Sequence, residues 1–146
     1  MATKVKPIPE GHHTVTPYLV IPGVAKVIEF VKQVFGATEV SVSRRLDGTV
    51  MHAEVKIGDS IIMMGESQAG GKNFPAMLHL YLEDVDGAYK RAIEAGAKSV
   101  REPADQFYGD RIGGVEDACG NQWWIAAHIE DVAPEEMERR AKAAQG

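Results

Sequence analysis

Val34-Phe35-Gly36-Ala37 and Ala95-Gly96-Ala97 close two stretches that read alike. Before the first, Val24, Val27, Ile28, Val31 and Phe35 recur at helical spacing. Before the second, Val85, Ala88, Tyr89, Ala92 and Ile93 do the same, and in each case the glycine that follows is a helix stop. The predicted helices are therefore Val24–Phe35 and Val85–Ala95. Each follows an apolar strand, Thr14–Ile21 before Pro22-Gly23 and Met77–Leu82 before the N-cap residue Asp84. After the first helix come strands Thr38–Arg45, Thr49–Ile57 and Ser60–Gly65, with turns at Asp47-Gly48 and Gly58-Asp59. After the second come Lys98–Glu102, a loop and strand within Phe107–Glu116, a turn at Cys119-Gly120-Asn121, and Gln122–Ile129.

Both halves thus read β-α-β-β-β, an internal duplication. Module one covers about 14–66 and module two about 76–130, and a polar tail helix, about 132–144, starts near Pro134. Neither half can bury both faces of its sheet alone, so the two should combine. The expected architecture is one α+β domain over 1–146, two tandem βαβββ modules forming a curved mixed sheet around a cavity.

Composition agrees with this reading. The chain has 146 residues, 45% hydrophobic and 25% charged, which is one domain's worth. The 15 Gly and 7 Pro show no period, so collagen and low-complexity classes are excluded. Cys119 has no partner for a disulfide framework. Apolar runs such as Ile61-Ile62-Met63-Met64 are far short of the ~18 residues of a membrane span. Met1 to Gly11 carries Lys4 and Lys6 but no apolar segment of a secretory leader, so a cytoplasmic location is expected. A net charge of −5 argues against a nucleic-acid partner. Arg139, Arg140 and Lys142 alternate with Glu135, Glu136 and Glu138, as a solvated helix face does.

Strand alternation separates two faces. Leu78, Leu80 and Leu82 point to the helix side, leaving Met77, His79 and Tyr81 opposite. By correspondence, Thr16, Tyr18 and Val20 share that second face in module one. Met51, Ala53, Val55 and Ile57 take the helix side, leaving His52, Glu54 and Lys56 opposite. Trp123 and Trp124 must face opposite sides, one in the core and one as a stacking wall. An aromatic-rich second face suggests a lined cavity; the plainer alternative is a wet surface or a dimer contact.

Thr16-Pro17-Tyr18-Leu19, Ile28-Glu29-Phe30, Val34-Phe35-Gly36-Ala37, Met51-His52-Ala53-Glu54, Ile57-Gly58-Asp59-Ser60, Glu83-Asp84-Val85-Asp86, Phe107-Tyr108-Gly109-Asp110-Arg111 and His128-Ile129-Glu130-Asp131-Val132 carry a resemblance. The chain resembles the vicinal oxygen chelate superfamily (glyoxalase I, bleomycin-resistance proteins, fosfomycin-resistance enzymes, extradiol dioxygenases), and within it the PhnB-like group. That resemblance implies the paired-module fold and a homodimer. It does not fix a function, because the superfamily spans isomerases, lyases, transferases, dioxygenases and binding proteins. Sequences like this one often carry a methyltransferase label, yet no Gly-rich strand-to-helix turn for adenosylmethionine is present.

Enzymes of the superfamily hold a divalent ion through two His and two Glu, and the ion acts as a Lewis acid. Carried over to this chain, the ligand positions fall on Thr16, Ile62, Met77 and Trp124. None is an imidazole or a carboxylate, and sliding by one residue finds none. The expectation is no metal and no cofactor at that place.

The remaining candidates are spread over both halves. His52, Glu54 and His79 are candidate catalytic residues; His52 and Glu54, two apart on one strand, can form a proton-transfer couple. Tyr18, His52, Glu54, Met64, His79, Tyr81, Arg111, Trp124 and His128 are the candidate ligand-binding set. Arg111 can grip a carboxylate or phosphate, or pair locally with Asp110; Glu54 can pair with Lys56 or Arg111 instead of His52. His12 and His13 are set aside as part of a loose arm. Three function classes follow: a small-molecule binder for a hydrophobic or aromatic ligand or drug; a metal-dependent or metal-free enzyme acting on a glutathione adduct, epoxide or α-carbonyl compound; and a structural or regulatory dimer.

Overall fold

The computed structural model describes residues 4–146; the first three residues of the stretch read for a leader lie outside the described residues. The chain divides into two units, one ending at Pro75 and one starting at Ala76. Unit one holds β1 (Tyr18–Ile21), α1 (Val24–Phe35), β2 (Thr38–Arg44), β3 (Val50–Ile57) and β4 (Ser60–Glu66). Its sheet has the order β1-β4-β3-β2, with β1 parallel to β4 and the other pairs antiparallel. Unit two holds β5 (Met77–Tyr81), α2 (Val85–Glu94), β6 (Lys98–Asp105), β7 (Asp110–Glu116), β8 (Gln122–His128) and α3 (Pro134–Gln145). Its sheet repeats the plan, β5-β8-β7-β6, with β5 parallel to β8. The fold is α+β, built from two four-stranded mixed sheets and three helices.

In each unit the helix covers one face of its own sheet. Val24, Val27, Ile28, Phe30, Val31 and Val34 of α1 are buried, as are Leu19, Ile21, Ala53, Val55 and Met64 of the strands. Fully burying one such side chain is worth about 1.5–3 kcal/mol. In unit two, Val85, Ala88 and Ala92 of α2 are buried, along with Val115, Trp123 and Ile125. Asp117 makes the buried indole tolerable: its carboxylate accepts from Trp123 Nε1 at 2.9 Å, Asn121 N at 3.0 Å and Cys119 N at 2.8 Å.

The two helices start differently. Asp84 caps α2 locally, its carboxylate accepting from Gly87 N at 2.9 Å. Gly23, at φ 90°, leads into α1 with no side-chain cap of its own. There the Glu66 carboxylate, at the far end of β4, accepts from Gly23 N and Val24 N.

Three expectations need correction. β1 starts at Tyr18, not Thr14, because Pro17 has no N–H for the ladder; its carbonyl accepts from Met63 N at 2.9 Å. β6 runs on to Asp105 through Pro103, which an edge strand allows. Met51 does not join the buried set. Pairing steps from Ser43↔His52 to Arg44↔Val50, so Met51 is an unpaired bulge residue, 49% exposed, and Val50 is buried in its place at 2%.

Candidate functional site

In unit one the register puts Tyr18 beside Met63 and Met63 beside Glu54, so these three share the face opposite α1. Tyr18 Oη lies 3.1 Å from His52 Nδ1, and His52 Nε2 lies 3.0 Å from Glu54 Oε2. The other carboxylate oxygen, Oε1, lies 2.7 Å from His12 Nε2. Glu54 is half-buried, so its charge is shielded from full solvation. The hydrogen bond from His52, and then that from His12, holds its carboxyl below the ordinary carboxylate range against the opposing cost of burial. The consistent assignment of the chain is Tyr18 O–H donating to Nδ1 and Nε2–H donating to Glu54. Neither Lys56 nor Arg111 takes part.

His12 is the residue that sequence reasoning missed. The arm is not loose there: His12 N donates to Pro9 O at 3.0 Å, and the His12 ring is tied to Glu54 of β3. No periodicity could mark it, because it stands in no regular element. Met64 does not belong to this face either. It pairs with Leu19, on the α1 side, and is fully buried.

Unit two brings the other candidates into two groups. His79 and Trp124 are cross-strand partners, and Tyr81 places its ring 5.1 Å from that of His79. Met77 and Tyr81 on this face are 69% and 64% exposed. Trp124 Nε1 donates to Gln122 Oε1 at 3.1 Å. The second group lies at the end of β8. His128 Nδ1 is 2.8 Å from Asp110 Oδ1, its Nε2 is 2.7 Å from Asp131 Oδ1, and Tyr81 Oη donates to Asp110 at 3.4 Å. The Asp110 and Asp131 carboxylates hold the His128 imidazole above its ordinary range, and the Asp110 charge pushes the Tyr81 phenol up. Arg111 is committed within the chain. Its guanidinium takes Asp86 in a fork at 2.8 and 3.0 Å and Asp105 at 2.9 Å, not its neighbour Asp110.

The positions carried over for a metal do not fit one. Ile62 lies on the helix side and is buried, so Met63 is the β4 residue on the face of Tyr18. Thr16, Met63, Met77 and Trp124 supply no imidazole and no carboxylate. Glu54 already gives one oxygen to each of two rings. Among the described residues, no group of three or more His, Cys, Asp and Glu side chains is arranged to hold an ion.

Paired βαβββ units with an aromatic-rich face define a class, and comparison with known proteins agrees. Residues 11–125 match the family model of the Glyoxalase/Bleomycin resistance protein/Dioxygenase superfamily, and the chain belongs to that superfamily. An uncharacterized protein of Mycobacterium bovis is 31% identical over 157 residues, covering 100% of this chain and 99% of its own length. A Mycobacterium tuberculosis H37Rv relative is equally identical, with 88% of its length covered. Among solved structures, TioX from Micromonospora sp. ML1 has a TM-score of 0.65 at 23% identity, covering 83% of this chain and 100% of its own. A PhnB protein from Bacillus cereus has a TM-score of 0.62 at 17% identity, covering 79% and 99%. Fosfomycin resistance protein FosX from Mesorhizobium loti has 0.57 at 15%, covering 79% and 91%. These likenesses establish the shared fold.

Proposed function

We propose that the protein binds a small hydrophobic or aromatic molecule and does so without the superfamily's metal. The observation that carries this is the cluster of three rings, His79, Tyr81 and Trp124, on the sheet face that α2 leaves uncovered. Open rings side by side are a stacking surface, and stacking needs no ion. Trp123 is fully buried, so fluorescence changes on ligand addition report Trp124. A screen of aromatic compounds and drugs should find saturable quenching whose affinity falls about tenfold in His79→Ala or Tyr81→Ala; an affinity unchanged in both overturns the reading. Titration of chelator-stripped protein with Ni²⁺, Zn²⁺, Mn²⁺ and Fe²⁺ should give no stoichiometric heat.

A second reading has its own observation, the Tyr18–His52–Glu54 line. A phenol bonded to an imidazole that is oriented by a carboxylate is an acid–base arrangement, and it suits proton transfer on a small α-carbonyl compound, glutathione adduct or epoxide. Deuterium wash-in at the carbon next to a carbonyl tests it. On this reading the rate falls at least ~10²-fold in His52→Gln. We further propose a cytoplasmic homodimer with no nucleic-acid or membrane partner, for which light scattering of the purified protein should give twice the chain mass. Net charge −5 supports the absence of a nucleic-acid partner, and no helix among the described residues is long and apolar enough to cross a membrane.

A further inference from the structure

We propose that the face of the unit-two sheet holds a planar aromatic carboxylate, with Arg101 as its anion anchor. Resting on the small-molecule reading above, this proposal names the ligand class.

The register builds the site. Arg101 pairs with Gly114, Gly114 with Trp124, and Trp124 with His79, so the four stand in one line across β6, β7, β8 and β5. Cross-strand partners share a face. Gly114 is the floor of that line. A Cβ there would lie 2.9 Å from Trp124 Cε3 and Cζ3, so only glycine lets the indole lie against the β7 backbone. Arg101 Cζ then sits 5.6 Å from the Trp124 ring centre, within the range of a cation–π contact. Gln122 fixes the indole's other edge through Nε1.

Arg101 is exposed, and among the described residues no carboxylate forms an ion pair with it. Three other arginines of unit two contrast with it. Arg111, Arg139 and Arg140 are each tied to carboxylates of the chain. Arg101 is instead held by a ring, with its five N–H donors left for an outside acceptor. A guanidinium fork beside an aromatic row matches one ligand shape: a flat ring against the exposed His79 and the open edge of Trp124, ending in a carboxylate that the fork takes bidentately. A neutral ring gains the stacking alone, and a cationic ring meets a like charge. The chain's overall acidity does not decide the matter, because the local cation sits at contact distance and the net charge does not.

Calorimetric titration of the full chain with 2-naphthoate and its uncharged isostere 2-naphthamide tests the proposal. Naphthoate should bind about tenfold or more tighter than naphthamide, a difference that shrinks at high salt. Arg101→Gln should remove that preference, so that the two compounds bind alike; Arg101→Lys should restore only part of it. Equal binding of the two compounds to the parent chain overturns the anion proposal while the small-molecule reading stands. A preference that survives Arg101→Gln does the same. Failure of both compounds to bind overturns the proposal and the stacking surface together.

Discussion

At the scale of single residues, the Asp117 carboxylate shows what burial asks of a charge. Asp117 is buried and accepts from two backbone amides, the Asn121 amide and the Trp123 indole. Removing it strands those donors inside the unit. Asp117→Ala should therefore cost about 3 kcal/mol in urea unfolding, above the range of an ordinary surface change. His128 is exposed and poses a different question. Its folded value is raised above the ordinary 6.5 by Asp110 and Asp131, so protonation favours the folded chain. That margin is fully present below about pH 6.5 and is lost as pH rises through the raised value. The Tm difference between the parent and His128→Gln should shrink across that window. His128 was legible as a candidate because alternation along the last strand puts it on the face of Trp124. Asp110 as its buried partner was not, since that pairing depends on the β7–β8 register, which the sequence pattern does not supply.

At the scale of elements, the face of each strand was readable wherever the alternation ran unbroken, as in Leu78–Leu82 and Trp123–Ile125. It failed at Met51, where a bulge adds a residue and turns the period over. Nor does it reach Arg101: β6 shifts register on either side of it, so alternation assigns that residue no face. Gly114→Ala gives a direct check of the β7–β8 packing. The added methyl meets the indole at 2.9 Å, so Trp124 must move. We expect a loss of about 1–3 kcal/mol and a red-shifted emission from the displaced ring. The arm before β1 is an element that no pattern announced. Glu54 is held below the ordinary 4.5 by the hydrogen bonds from His52 and His12, so its contribution is present above that value and lost as pH falls through the depressed one. Protection of the His12 amide from hydrogen exchange, taken relative to its intrinsic rate at each pH, should accordingly fall at low pH. In His12→Ala that protection should be low at neutral pH as well.

At the scale of the whole molecule, the duplication is what the sequence displayed most openly, since two helices stopped by Gly36 and Gly96 set the frame. The segment between the halves divides them cleanly. Ser67 N bonds to Ile21 O, and Phe74 exchanges two backbone bonds with Val20, while residues 68–73 between these ties are exposed. Every strand of each unit lies wholly on one side of that loop. Limited trypsin digestion should make its first cut within 18–128 after Lys72 and leave both sheets intact, as read by far-UV circular dichroism. The difference between the two helix starts also has a kinetic meaning. Asp84 meets its helix across three residues, so α2 can nucleate before its sheet exists. Glu66 reaches Gly23 across forty-three, and a loop of that length must close before α1 is capped. The repeats share a topology but not a schedule: in Asp84→Ala a weakened α2 should already slow refolding, whereas Glu66→Gln should act mainly by speeding unfolding.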